Sequence, residues 1–292
     1  MLFRSRTVRY VHSSGSGPLD STASVYTSLS SVSTAISGGA VAEVVLLGDG
    51  DTIDESGLTS GINLPVGAMF VGGCNISWSR AINHKGLSSV MLPALSQSLL
   101  SFVPASPAAF LVDSIDFDIA HIAVAGSALS AISIGAACGD VTLRNSSFRF
   151  VGFRNDYGST ATVSLLDIQS AAGLVLDRVD ISAANSTDNG TEMDMYGIRS
   201  SSNMTGVTIA NSFVSVGSVS ASISTSETFG VYIQYYGTPV RIVGSTVSAG
   251  VYSHLVANLS SSAIYVPSTS LVLTNNITVI DTRVQNNLAW RV

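Results

Sequence analysis

The sequence predicts an all-β fold, a parallel β-solenoid, on three observations. First, Ser, Thr, Gly, Ala and Val dominate and strong helix formers are few, which favours strands and turns. Second, charged residues make up only 11% of the 292 residues while 46% are hydrophobic, a balance that buries a core rather than staying disordered. Third, one strand–bend–strand corner recurs at a nearly fixed spacing, the signature of stacked coils that cover one another's apolar faces. The corners read VTLRNSSF, LVLDRVDI, VTIANSFV, VRIVGSTV and LVLTNNIT, and their marker residues are Leu143, Leu176, Ile209, Ile242 and Leu273. The steps between markers are 33, 33, 33 and 31 residues, and FDIAHIAV is an earlier copy with Ile119 as its marker.

Residues 1–20 carry no strong pattern and are expected to be disordered or a fragment of a preceding segment. Residues 21–40 follow as an amphipathic helix. Val25, Leu29, Val32 and Ile36 fall at helical spacing, and Gly38 and Gly39 end the run. This helix is expected to cap the first coil, AEVVLLGDGDTI, because an open β-edge invites aggregation. Residues 41–292 form the solenoid as a single domain.

Within each coil, the residue two places after the marker is the bend. The column reads His121, Asn145, Arg178, Asn211, Gly244 and Asn275, and Asn, Gly and His best tolerate the positive φ that a tight corner requires. About nine residues before the markers lie further apolar pairs: Ile132/Ile134, Leu166/Ile168, Val231/Ile233 and Ile264/Val266. Each coil is therefore read as three short strands and a polar loop. The run from Ile119 to Gly139 has no formal charge, but its interruptions and alternation fit strands better than a membrane-crossing helix. The C-terminus shows no cap, so the last coil is expected to be continued or covered.

These corners resemble the right-handed parallel β-helix of the pectin-lyase-like superfamily, from about residue 42 to residue 280. The resemblance implies a right-handed, single-stranded β-helix whose second bend often carries stacked Asn. Its polygalacturonases carry Asn-Thr-Asp, Asp-Asp, Gly-His-Gly and Arg-Ile-Lys signatures, none of which occurs here. Its pectate lyases place acidic calcium ligands and a basic residue on the outer face of the first strand of each coil. The Ser- and Val-rich coils are also similar in style to β-helical, membrane-associated surface proteins of kinetoplastid protists.

That outer face can be read from the sequence. With Ile134, Ile168, Ile198, Ile233 and Val266 inward, Ser133, Asp167, Gln169, Arg199, Tyr232, Gln234 and Tyr265 point outward. Asp167 and Arg199 fall one coil apart. One acid does not make a calcium site, because hard cations need several oxygen ligands. In DSIDFDI, Ile115, Phe117 and Ile119 alternate inward, leaving Asp116 and Asp118 outward and roughly 7 Å apart. Paired carboxylates of that kind can serve a glycosidase or hold a cation. The catalytic candidates are therefore Asp116, Asp118 and Asp167. In FGVYIQYYG, Phe229, Val231, Ile233 and Tyr235 share the inner parity. Arg199, Tyr232, Gln234, Tyr236 and Tyr265 are then the ligand-binding candidates.

Seven N-x-S/T sequons occur, at Asn75, Asn145, Asn185, Asn189, Asn203, Asn258 and Asn276. Asn145 is assigned to a bend with its side chain inward, whereas Asn185, Asn189 and Asn258 fall in expected loops and are the glycosylation candidates. Cys74 and Cys138 are too few for a disulfide framework, and His84, His121 and His254 form no metal pattern. No metal or cofactor is expected. The 13 basic residues are scattered among 19 acidic ones, which argues against nucleic acid as a partner. The outward column before the markers reads Thr142, Val175, Thr208, Arg241 and Val272, too irregular for an ice- or crystal-binding face. The expectation is a non-catalytic extracellular or cell-surface scaffold that binds a carbohydrate or protein. The alternative is a polysaccharide lyase or glycoside hydrolase. No apolar signal segment follows the N-terminal arginines.

Overall fold

The computed structural model describes residues 8–15, 25–36, 44–66, 69–74, 88–104, 109–119, 122–125, 128–135, 139–156, 160–169, 171–201, 204–221, 227–233, 239–252, 260–265 and 277–285. They form a parallel β-solenoid of four sheets with one short helix. Sheet A has ten strands and includes Phe110–Asp113, Val141–Arg144, Gly173–Asp177, Gly206–Ala210 and Val240–Val243. Sheet B has eight, including Ile115–Ile119, Ser147–Phe150, Asp180–Ala183 and Phe213–Ser215. Sheet C has seven, including Ala128–Ile134, Thr160–Ile168, Glu192–Ser200, Glu227–Ile233 and Ser260–Tyr265.

The fourth sheet corrects the expectation of three strands and a loop per coil. Sheet D joins Ala123–Ala125, Phe153–Asn155, Asn185–Asp188, Ser218–Ala221 and Val251–Tyr252. These strands are two to four residues long, too short for an apolar alternation to announce them. Inter-coil hydrogen bonding creates them.

The period is borne out in its middle. Leu143, Leu176, Ile209 and Ile242 stand opposite one another in sheet A. Both ends differ from expectation. Leu143 faces Val112, not Ile119, which belongs to sheet B opposite Phe150. Ile242 faces Val279, and Leu273 lies outside the described residues. The bend column accordingly runs Ser114, Asn145, Arg178, Asn211, Gly244 and Asp281, with φ of 60°, 47°, 55°, 50°, 56° and 46°. His121 and Asn275, expected in that column, lie outside the described residues. The outward column continues through Thr142, Val175, Thr208 and Arg241 to Thr278, in place of Val272.

After the bend residue comes a serine ladder. Ser146, Ser212 and Ser245 are buried. Each donates to the carbonyl two residues earlier: Ser146 Oγ to Arg144 at 2.8 Å, Ser212 Oγ to Ala210 at 2.7 Å and Ser245 Oγ to Val243 at 2.8 Å. Each also accepts a backbone N–H from the preceding coil: Ile115 on Ser146 at 3.2 Å, Val179 on Ser212 at 3.0 Å and Ser212 on Ser245 at 3.1 Å. A corner interrupts the ladder of sheet hydrogen bonds, and a buried amide without a partner costs on the order of 1–3 kcal/mol. The recurrent Ser satisfies that amide.

The core is a continuous apolar column. Phe117 and Phe148 stack at 5.1 Å with planes 2° apart, directly in register. Ile115, Phe117 and Ile119 are buried as alternation predicts. The charge-poor run after Ile119 is strand where it is described, Ala123–Ala125 and Ala128–Ile134. No helix among the described residues is long and apolar enough to cross a membrane. Cys74 is buried, its Sγ 3.6 Å from the Val71 carbonyl oxygen, and Cys138 lies outside the described residues.

The helix spans Leu29–Ile36, shorter than the sequence pattern implies. Ser28 Oγ accepts the Ser31 N–H at 3.1 Å and caps it there, while Val25 and Tyr26 pair as a strand with Tyr10 and Val11. The strand Val8–Val11, within the segment expected to be disordered or a fragment, runs beside Val44–Leu47. Leu29, Val32 and Ile36 face the core, and the buried Glu55 accepts the Ser30 N–H at 3.0 Å and its hydroxyl at 2.9 Å.

Candidate functional site

The outer face of sheet C gathers the most chemistry. Ser133, Asp167, Arg199, Tyr232 and Tyr265 stand in one register column, coil upon coil. All five were expected outward. Ile134, Ile168, Ile198 and Ile233 are buried as expected, although Ile198 stands opposite Leu166 rather than Ile168. Val266 lies outside the described residues.

A second column, Ser164, Tyr196, Phe229 and Ser262, runs beside the first. Phe229 was expected inward, and glycine is the reason it is not. Strict alternation would put Phe229 on the face of Val231. Instead Thr228 and Val231 are both buried, and the alternation slips by one residue at Gly230. A Cβ at Gly230 would stand 2.6 Å from the Ala263 carbonyl oxygen and 2.6 Å from Val247 Cγ1. Gly197, one coil earlier, is as tight against the Gly230 carbonyl oxygen at 2.5 Å. The backbone dips into the core where only glycine fits, and the side chains before the dip turn outward.

Tyr196, Phe229, Tyr232 and Tyr265 thereby form one aromatic patch. Tyr196 stacks on Phe229 at 5.2 Å and 12°, and Tyr232 on Tyr265 at 5.0 Å and 8°. Tyr232 meets Tyr196 and Phe229 edge-on at 5.2 and 5.1 Å. Phe229 is only 6% exposed beneath the tyrosines, whereas Tyr265 is 39% exposed. The Arg199 guanidinium lies 5.3 Å from the Tyr196 ring centre. Tyr196 and Phe229 were missed from sequence because their outward placement depends on the slip at the glycines. Gln234 and Tyr236 lie outside the described residues.

Polar groups border the rings. Asp167 is buried, accepts Ser130 Oγ at 3.2 Å, and its Oδ1 has no hydrogen-bond partner. Burial pushes its carboxyl up, opposed by the Arg199 charge and by hydrogen bonds from Ser130 and Gln169. Asp194 is pushed up to about 6, first by burial and further by Glu192 and Glu227, against the Glu227 N–H and Arg199. The Tyr196 hydroxyl rises to about 12, through burial and then the neighbouring Asp194.

Asp116 and Asp118 lie on sheet B, away from Asp167 on sheet C, so the three catalytic candidates do not converge. One guanidinium spans the pair. Arg149 Nη2 is 3.1 Å from Asp116 Oδ2, and its Nε is 3.2 Å from Asp118 Oδ1. Ser147 Oγ donates to Asp116 at 2.5 Å. Burial raises the Asp118 carboxyl and Arg149 opposes the shift. Two carboxylates tied to one cation hold adjacent coils together, an arrangement unlike an acid and a nucleophile facing an open bond.

Asn145 is half-buried rather than inward. Its Nδ2 donates to Asp113 at 3.0 Å, and its Oδ1 accepts Arg178 Nε at 2.7 Å. Asn185 belongs to a strand of sheet D instead of a loop; Asn189 directly follows it, and both are exposed. Ser218 Oγ donates to Asn185 Oδ1 at 2.6 Å, and Asn189 Nδ2 donates to Asp156 at 3.2 Å. Asn258, His84 and His254 lie outside the described residues. Near the N-terminus, Ser14 Oγ is 2.9 Å and Asp51 Oδ2 3.8 Å from the same His12 nitrogen, Nδ1. Both contacts fall on one ring nitrogen, beside the turn at residues 13 and 14. Among the described residues, no group of three His, Cys, Asp or Glu side chains could hold a metal ion. No family model, curated protein or solved structure matches the chain.

Proposed function

We propose that this solenoid is a non-catalytic scaffold, exposed on a cell surface or outside the cell, that binds a neutral carbohydrate on the aromatic face of sheet C. The observation that carries the reading is the four-ring patch of Tyr196, Phe229, Tyr232 and Tyr265 bordered by Arg199 and Asp167. Flat rings offer an apolar platform to the C–H face of a sugar, and the flanking charged groups offer partners to its hydroxyls. Glu192, Asp194 and Glu227 share this face, and their field disfavours an acidic polysaccharide. The exposed sequons at Asn185 and Asn189 support a secreted or surface-displayed chain.

Calorimetric titration with neutral and acidic polysaccharides, each mixture also assayed for new reducing ends and unsaturated products, tests the proposal. Binding of a neutral polysaccharide without turnover, weakened about tenfold by Tyr232→Ala, is the expected result. A polysaccharide lyase or glycoside hydrolase is the second reading, favoured by Asp194 near pH 6, where a general acid operates. Turnover abolished by Asp194→Asn or Asp167→Asn would establish it instead.

A further inference from the structure

A different face of the solenoid carries a second candidate site. An open groove of about 590 Å³ runs along the corner between sheets A and B. Its outer rim is formed by the bend residues Arg178 and Asn211, and its floor by the register column Asp180, Phe213 and Thr246. Gly244 projects no side chain there; a Cβ would stand 2.9 Å from Asn211 Oδ1.

Phe213 is the unusual member. The corners NSSF and NSF look alike, but the second is one residue shorter between bend and Phe. Ser147 and Phe213 therefore both stand opposite Asp180, while Phe148 and Val214 both stand opposite Ile181 in the core. A one-residue difference moves a side chain to the other face of a strand. Phe148 is 1% exposed and Phe213 is 42% exposed. A large ring is thus presented to solvent inside a polar groove.

The cations around it are matched, while the buried Asp180 Oδ1 has no hydrogen-bond partner. Arg178 Nη2 is paired with Asp177 at 2.9 Å, and Arg149 with Asp116 and Asp118. Burial raises the Asp180 carboxyl, with a Ser182 hydrogen bond and Arg149 opposing the shift. A groove with no unmatched cation and a half-buried acid is a poor host for phosphate, sulfate or uronate. It does offer amide, hydroxyl and guanidinium hydrogen-bonding groups around an aromatic platform, in a volume typical of small-ligand sites.

We propose that this groove is a second saccharide site. It takes a neutral oligosaccharide whose apolar ring face stacks on Phe213 while its hydroxyls meet Asn211, Thr246 and Arg178. The site stands on its own face and does not depend on ligand binding at sheet C. With two such faces, one chain can bridge two glycan strands.

The test uses the full chain carrying Tyr232→Ala, titrated with neutral gluco-, xylo- and manno-oligosaccharides and with an oligogalacturonate while NMR signals of Phe213 and the Asn211 side-chain amide are followed. Saturable shifts at both residues with one neutral series are expected, with a dissociation constant about tenfold higher when Phe213→Ser is added. Phe213 is exposed, so its replacement leaves folding intact, checked by an unchanged melting temperature. Three results would overturn the assignment: no shift at either residue, an affinity indifferent to Phe213→Ser, or tighter binding of the oligogalacturonate. Concentration-dependent shifts at Phe213 without sugar would instead make it a contact between two copies of the chain.

Discussion

Asp167 and Arg199 face each other directly across adjacent coils of sheet C, yet Asp167 Oδ1 and Arg199 Nε each lack a hydrogen-bond partner. Proximity gives them Coulomb attraction without the paired geometry of a closed salt bridge. Replacing Arg199 by Met should therefore raise the Asp167 carboxyl further above its present value, because burial would act unopposed by that charge. Carbon-detected NMR titration of Asp167 in both proteins checks this. An unchanged titration would mean the two groups are electrostatically independent.

Asp194 imposes a pH dependence on stability. Its folded-state value of about 6 lies above the roughly 3.9 of an unfolded aspartate, so the folded chain holds a proton that the unfolded chain releases. Its contribution is fully present below about pH 4 and is lost as pH rises through about 6. Asp194→Asn should flatten the fall in melting temperature between those pH values, so that its advantage over wild type grows across the window and is largest above it. A slope identical to wild type across the window would sink the idea.

The bend column discriminates residues by backbone conformation. Arg178 and Asn211 both sit at positive φ, 55° and 50°. Asn211→Val places a β-branched residue there and should cost about 1–3 kcal/mol in urea unfolding. Arg178→Gly removes strain but also the contacts to Asn145 and Asp177, so its net change should stay within about 1 kcal/mol. Equal costs at the two positions would show that side-chain contacts, not φ, govern the column.

The serine ladder should be as sensitive as a core position despite its polarity. Ser212→Ala strips the acceptor from the Val179 N–H, which the fold gives no solvent to replace. The expected loss is about 1–3 kcal/mol, with Ser215→Ala, on a half-buried strand position, as a milder reference. Chemical denaturation of both variants reads the difference.

Gly230 holds the aromatic face in place. With its Cβ 2.6 Å from a backbone oxygen, Gly230→Ala must displace the neighbouring coil, costing stability and loosening the Phe229 contacts with Tyr196 and Tyr232. Near-ultraviolet circular dichroism should lose tyrosine signal beyond the loss seen in Tyr265→Ala. An unaltered spectrum would place the outward turn of Phe229 elsewhere.

Much was legible from residues alone, because two local rules govern it. Alternation placed Ile115, Phe117 and Ile119 inside and Asp167, Arg199, Tyr232 and Tyr265 on one outer column. The tolerance of Asn and Gly for positive φ located the bends at Asn145, Asn211 and Gly244, with Arg178 brought in by the period. Only the tertiary structure decided where the register departs from the period. Corner length sets that register, and a single residue separates the buried Phe148 from the exposed Phe213. The same holds for the dip at Gly230 that turns Phe229 outward, for Ser114 taking the bend expected of His121, and for the short strands of sheet D. Each depends on hydrogen bonds and packing between coils, and the 33-residue period marks which coils are neighbours without marking these local departures from its register.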